Sequence, residues 1–89
     1  MRFEKYTEVD MSCLQGYVKT TYDKLVEVFG EPHFRGGDKT TCEWNLRFVD
    51  GTIATIYDYK EFSTPMEEYD WHIGGYNKYA VKRVTELLK

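Results

Sequence analysis

The chain has 89 residues, a formal net charge of −3, and eight tyrosines within an aromatic content of 17%. This length predicts one domain, residues 1–89, in which nearly every large apolar side chain is needed for the core. The weak negative charge argues against nucleic-acid binding, which depends on a basic surface that neutralises phosphates. No apolar run approaches the roughly 18 residues of a membrane span, and no signal-peptide pattern opens the chain. We therefore expect a cytoplasmic protein without membrane contact.

The first elements along the chain are short strands. Phe3, Tyr6 and Val9 either form a strand or merely pack against the rest of the domain. The segment from Leu14 to Lys19 reads as a strand, and Gly16 within it marks a bulge or a close approach of another backbone.

A helix with clear end signals comes next. Thr20 is its predicted N-cap, three residues before Asp23. Gly30 suits the left-handed position that ends a helix, and Pro32 prevents its continuation. Between these ends the apolar residues recur at helical spacing. They are Tyr22, Leu25, Val26 and Phe29.

The strongest local pattern is a hairpin from Thr41 to Lys60 that turns on Asp50-Gly51. Asp-Gly between alternating runs is typical of a two-residue type I′ turn, because that turn needs positive φ at both central residues. This turn fixes the register and places one set of side chains in the core: Cys42, Trp44, Leu46, Phe48, Ile53, Thr55, Tyr57 and Tyr59. The opposite face then shows Glu43, Asn45, Arg47, Thr52, Ala54, Ile56 and Asp58.

A third main strand and a second helix complete the predicted fold. The strand runs from Tyr69 to Ile73, Gly74-Gly75 breaks it, and Asn77 caps a final helix that reaches about Leu88. The expected fold class is α+β, a two-layer sandwich. Its short antiparallel sheet has three to four strands, with the Asp-Gly hairpin in the centre, and two helices pack on one face.

The junction between the third strand and the last helix is the first candidate site. Free N–H groups at a helix N-terminus favour an anion, and two glycines let a ligand approach the backbone closely. The spacing of glycines matches no dinucleotide or Walker motif. A small anionic ligand, such as a nucleotide, would contact Asp70, Trp71, His72, Gly74, Gly75, Asn77 and Lys78.

The hairpin face opposite Trp44 is the second candidate, as a surface for another protein. Ile56 beside Ala54 makes a modest apolar patch with a charged rim. Alternatively, the loop from Lys60 to Tyr69 covers this patch with Phe62 and Met66. The proposed interface consists of Glu43, Asn45, Arg47, Ala54, Ile56 and Asp58.

No residue pattern indicates a metal site, a cofactor or a catalytic set. The two cysteines, Cys13 and Cys42, and the two histidines, His33 and His72, lack the paired spacing of zinc ligands. Reduced thiols are the expectation for a cytoplasmic protein, and Cys42 is most simply a core residue. The sequence thus favours a non-enzymatic binding protein, either monomeric or homodimeric, over an enzyme.

Two resemblances bear on function. From about residue 14 onward, the chain resembles a family of small accessory proteins of tailed bacteriophages. Seven segments carry this resemblance. The segments are Gly16–Tyr22, Leu25-Val26, Phe29–Pro32, Trp44, Asp50–Thr52, Ile56–Asp58 and Trp71–Gly75. The resemblance implies a partner in the bacterial host, with inhibition of host or defence machinery implied by association. It carries no catalytic residue over to this chain.

The second resemblance is local. A capped helix ending in Phe29–Pro32, then a strand with Trp44 and a turn with Gly51, is similar to small-protein-A and beta-lactamase-inhibitor-like modules. Those modules bind partner proteins. This chain differs from them in lacking a lipobox and in having a C-terminal helix.

Overall fold

The computed structural model describes residues 2–6, 12–36 and 39–89, so Val9 lies outside the described residues. In the described part of the chain, six antiparallel strands form one sheet, and the two helices contribute to a core on one side of it. The elements in chain order are β1 (Phe3–Lys5), β2 (Cys13–Thr20), α1 (Tyr22–Phe29), β3 (Phe34–Arg35), β4 (Cys42–Phe48), β5 (Ile53–Tyr57), β6 (Tyr69–Gly75) and α2 (Tyr79–Leu88).

The prediction of three to four strands is wrong, because the very short β1 and β3 join β2, β4, β5 and β6 in the sheet. Its order is β1-β4-β5-β6-β2, and β3 also pairs with β4. The three residues of β1 and the two of β3 pair with different parts of β4. Segments this short carry no periodic pattern of their own, so their strand conformation depends on the neighbour that they pair with.

Helix α1 is capped at both ends largely as predicted. The N-cap is Thr21 rather than Thr20, and its hydroxyl accepts a hydrogen bond from the Lys24 N–H at 3.1 Å. At the other end, Gly30 has a φ of 85° and donates its N–H to the Val26 carbonyl at 2.8 Å. Leu25 and Phe29 of this helix are buried in the core, as the apolar stripe indicates.

The hairpin register differs from the predicted one by a single residue. Phe48 N–H donates to the Thr52 carbonyl at 2.8 Å, so three residues, not two, form the loop. Gly51 holds a φ of 90°, as expected for a type I turn followed by a bulged glycine. A shift of one residue turns every side chain of a strand to the opposite face.

This shift corrects the predicted core face of β5. Trp44 pairs with Ile56 and Leu46 with Ala54, so Ile56 and Ala54 lie in the core. Tyr57 lies instead on the face predicted to be open. The β4 half of the prediction is confirmed, since Cys42, Trp44, Leu46 and Phe48 are all buried.

The two glycines at the end of β6 are strand residues rather than a break. Gly74 pairs with Thr55 and Gly75 with Ala54 of β5. A Cβ at Gly75 would stand 2.7 Å from the Ala80 Cβ and 2.8 Å from the Ile53 carbonyl oxygen. The glycine therefore allows α2 to pack closely against the sheet.

A buried carboxylate holds the loop that follows β5. Asp58 is fully buried and accepts hydrogen bonds from the Thr41 N–H at 2.7 Å and the Thr41 hydroxyl at 2.6 Å. The same hydroxyl lies 2.7 Å from that of Thr64. These contacts connect the start of β4 with the segment that leads to β6.

In the described residues, neither helix has the length and apolar character needed to cross a membrane.

The close approach at Gly75 yields a stability prediction. Gly75→Ala should lower the free energy of unfolding by roughly 2–3 kcal/mol, because the new methyl group would overlap a backbone oxygen and a helix side chain. Gly51→Ala is the matched control. That position has open space around it and should lose only about 1 kcal/mol, through its positive φ. Urea unfolding measures both changes, and equal losses would contradict the proposed packing role of Gly75.

Candidate functional site

One row of side chains crosses the sheet on the face opposite the core. The register pairs Glu43 of β4 with Tyr57 of β5, Tyr57 with His72 of β6, and His72 with Tyr17 of β2. Directly opposite residues on neighbouring strands have their Cβ atoms about 4.5–5.5 Å apart, so these side chains form a continuous line. The row exists because the three-residue loop turns Tyr57 to this face.

Three tyrosines surround His72 at the centre of this row. The ring centroids of Tyr17, Tyr57 and Tyr59 lie 4.9, 5.3 and 5.6 Å from that of the imidazole. We call Tyr17, Tyr57, Tyr59 and His72 the ring cluster. Tyr17 is 53% exposed and Tyr59 is 38% exposed, so the cluster presents aromatic surface to solvent.

The tyrosine packing leaves His72 in a poorly hydrated position. Its Nδ1 atom is buried, and in the described part of the chain it has no hydrogen-bond partner. Burial lowers the pKa of His72 below 6.5, although the charges of Asp58 and Glu61 act in the opposite direction. Burial therefore favours the neutral form of the imidazole over the charged one.

Carboxylates lie around the ring cluster. Burial raises the pKa of Glu43, and it also raises the pKa of Tyr57, with the Glu43 charge as a further cause. Asp70 is exposed two residues before His72 on the same strand face. Glu61 accepts a weak hydrogen bond from the Tyr69 hydroxyl at 3.4 Å. The surroundings of the cluster are thus acidic as well as aromatic.

The neighbouring row has a gap where Gly74 lies. Gly74 stands between Thr55 of β5 and Leu14 of β2. A Cβ there would come within 2.5 Å of the Thr55 hydroxyl oxygen and 3.5 Å of the Tyr57 ring. Gly74 therefore allows Thr55 and Tyr57 to pack directly over the strand.

The predicted anion site does not form the turn that its hypothesis required. Trp71 is buried in the core, where its indole N–H donates to the Thr20 carbonyl at 3.1 Å. Gly74 and Gly75 belong to β6, and α2 begins only at Tyr79. Asn77 and Lys78 are exposed before that helix, and the Asn77 side chain already accepts the Tyr79 N–H at 2.9 Å. The seven predicted residues are thus divided between the two sides of the sheet and the turn before α2.

The predicted protein interface is divided in the same way. Glu43, Asn45 and Arg47 of β4 do lie on the face away from the core, but Asn45 is buried there at 2% exposure. Their assumed neighbours on β5 do not, because Ala54, Ile56 and Asp58 are fully buried. The prediction of an exposed apolar patch around Ile56 is therefore wrong. The alternative prediction, that the loop from Lys60 to Tyr69 covers this patch, is wrong as well. The two large apolar side chains of that loop, Phe62 and Met66, are exposed.

The ring cluster was missed because of the assumed turn. A two-residue loop assigns Tyr57 and Tyr59 to the core. No local sequence pattern predicts that Tyr17 lies beside His72. The signal present in the sequence was the tyrosine count itself, together with the alternation of β2 and β6. Only the correct loop length brings these side chains to one face.

Other parts of the described surface are weaker candidates for a functional site. In residues 2–6, 12–36 and 39–89, no three histidine, cysteine or acidic side chains are grouped as metal ligands would be. A shallow cleft between β1 and the hairpin turn contains Arg47 and Asp50. Arg47 is paired with Glu4, and Asp50 is paired with Arg83 at 2.8 Å, so these charges are already compensated.

Comparison with known proteins gives no match to a protein-family model, to a curated protein or to a solved structure. The resemblance to phage accessory proteins therefore stays a prediction.

Burial of His72 predicts its titration. In an NMR titration the His72 ring proton should show a midpoint below 6.5, because the tyrosines disfavour the charged imidazole. Since the unfolded chain binds the proton more readily, this group makes the fold less stable as pH falls from about 7 through the lowered pKa.

Tyr17→Ala should expose the imidazole and move the His72 midpoint back toward 6.5. Tyr79→Ala is the matched control, since Tyr79 is similarly exposed but lies on α2. A His72 midpoint at or above 6.5 in the unaltered protein would contradict the burial argument.

Proposed function

We propose that this protein is a non-enzymatic binding module that engages another protein through the ring cluster. The observation that carries the proposal is a group of three tyrosines and a histidine on a sheet face that the core helices leave free, in which Tyr17 and Tyr59 are exposed to solvent. Tyrosine is enriched at protein interfaces because a rigid ring supplies a large contact area and its hydroxyl stays hydrated. Such residues commonly dominate binding energy.

Further exposed apolar side chains support the proposal of an interface on this face. Leu14 pairs with Gly74 beside the cluster, and Phe34 pairs with Glu43 at the other end of the row. Both are nearly half exposed. An interface centred on the ring cluster would extend over these side chains, from β2 at one edge of the sheet to β3 at the other.

The environment of His72 supports binding rather than catalysis. A histidine that acts as a general base is usually oriented by a hydrogen bond to its second nitrogen. In the described residues, the Nδ1 atom of His72 has no such partner, and its close ring contacts are tyrosines. These contacts position aromatic surface, and they supply no nucleophile.

The partner that we propose is a protein of a bacterial host, encountered in the cytoplasm. This part of the proposal is supported by the resemblance of the segments around Gly16–Tyr22 and Trp71–Gly75 to phage accessory proteins, and by nothing in the geometry. The acidic net charge of the chain is consistent with a protein partner rather than a nucleic acid.

Affinity capture with matched tyrosine variants tests this function. The immobilised chain should retain a stoichiometric protein from host lysate, and Tyr17→Ala should weaken retention roughly tenfold or more, as loss of a central interface ring does. Tyr79→Ala, at 55% exposure against 53% for Tyr17, should leave retention unchanged. Circular dichroism checks that both variants fold.

Two results would overturn the proposal. One is the absence of any stoichiometric partner, and the other is a partner that both variants retain equally.

A further inference from the structure

We propose that the ring cluster receives an arginine side chain from a basic segment of the partner protein. The inference rests on the proposed function and names the chemistry that this face recognises. It follows from three observations: where cations already lie over rings of this chain, which carboxylates lack an ion-pair partner, and how the rings are arranged.

Basic side chains already lie over rings of this chain, and one of these rings belongs to the cluster. The Lys60 ammonium lies 5.2 Å from the centroid of Tyr59, and the Arg47 guanidinium lies 5.4 Å from that of Tyr6. A cation within about 6 Å of a ring face is attracted by the ring quadrupole. In the described part of the chain, no cation lies over Tyr17 or Tyr57. No cation of the described chain therefore competes for these two rings, of which Tyr17 is exposed and Tyr57 is half-buried.

The carboxylates around these rings are not compensated by ion pairs. Glu43, Glu61 and Asp70 form no salt bridge within the described residues. A surface that combines open rings with unpaired carboxylates is complementary to a positive charge, and such complementarity sets specificity at interfaces.

The arrangement favours a guanidinium over an ammonium. Glu43 and Tyr57 are direct neighbours across β4 and β5, and His72 follows Tyr57 in the same row. A guanidinium is planar, stacks on aromatic rings, and donates in a fork that matches a carboxylate. It can therefore contact a tyrosine ring and the adjacent Glu43 at the same time. An ammonium is a more strongly hydrated point charge that gains less from stacking.

The test uses four synthetic nine-residue peptides on a glycine-serine background. Three variable positions carry arginine, lysine, citrulline or glutamate. Citrulline keeps the planar shape of arginine and removes its charge. Binding is measured by fluorescence anisotropy, and contact is mapped by NMR amide shifts of the full chain. The arginine peptide should shift the resonances of Tyr17, Tyr57 and His72, and it should bind at least fivefold more tightly than the citrulline peptide.

Variants assign the effect to the cluster. Tyr17→Phe should keep the affinity for the arginine peptide because the ring remains, whereas Tyr17→Ala should reduce it about fivefold or more. Glu43→Gln should weaken binding and reduce its dependence on salt. Tyr79→Ala, which removes a ring with Lys82 and Arg83 already beside it, should have no effect.

Several results would overturn this inference. They are equal binding of the arginine and citrulline peptides, tighter binding of the lysine peptide, or shifts that map away from the cluster. A partner captured from lysate in a Tyr17-dependent manner, together with a negative peptide result, would leave the proposed function intact and remove only the arginine. If capture does not depend on Tyr17, the proposed function fails whatever the peptides show.

Discussion

Two buried tryptophans of the sheet, Trp44 on β4 and Trp71 on β6, connect the sheet with helix α1. The indoles meet edge to face, with centroids 5.6 Å apart and planes at 82°, and both side chains are fully buried. Each indole also donates its N–H to a carbonyl that flanks α1. Trp71 bonds Thr20 at 3.1 Å, just before the helix, and Trp44 bonds Gly30 at 2.8 Å, just after it. The same pair that fills the core therefore fixes both ends of the helix against the sheet.

That arrangement decides which face of the sheet remains free. Because Trp44 and Trp71 point toward the helices, alternation along β4 and β6 directs Glu43 and His72 to the other side. Strand β5, which lies between them, must direct its apolar side chains to the same core face. The three-residue loop achieves this because it brings Ile56 beside Trp44. With a two-residue loop, Tyr57 would enter the core and Ile56 would face solvent. The composition of the free face is thus a consequence of loop length as much as of strand sequence.

The sequence predicts the long elements well and the register poorly, for a physical reason. Helical spacing and end signals locate α1 and α2, and alternation locates β4. An Asp-Gly pair, however, is compatible both with a type I′ turn and with a type I turn followed by a bulged glycine, since each places Gly51 at positive φ. The two turns differ by one residue in register, and only packing of the whole strand selects between them. For the same reason, half of the predicted interface, on β4, lies on the correct face and half, on β5, does not.

The chemistry of the ring cluster follows from burial of a single titratable group. A charged imidazole among Tyr17, Tyr57 and Tyr59 would repel an approaching guanidinium, whereas a neutral one adds another ring. Burial among the tyrosines favours the neutral form, because it lowers the pKa of His72 despite the charges of Asp58 and Glu61. Of these two carboxylates, Asp58 is fully buried and bonded to Thr41, so only Glu61 is exposed to an approaching ligand. Aromatic packing and surface charge therefore act together, because the rings proposed to receive a guanidinium are also the rings that disfavour a charged imidazole among them.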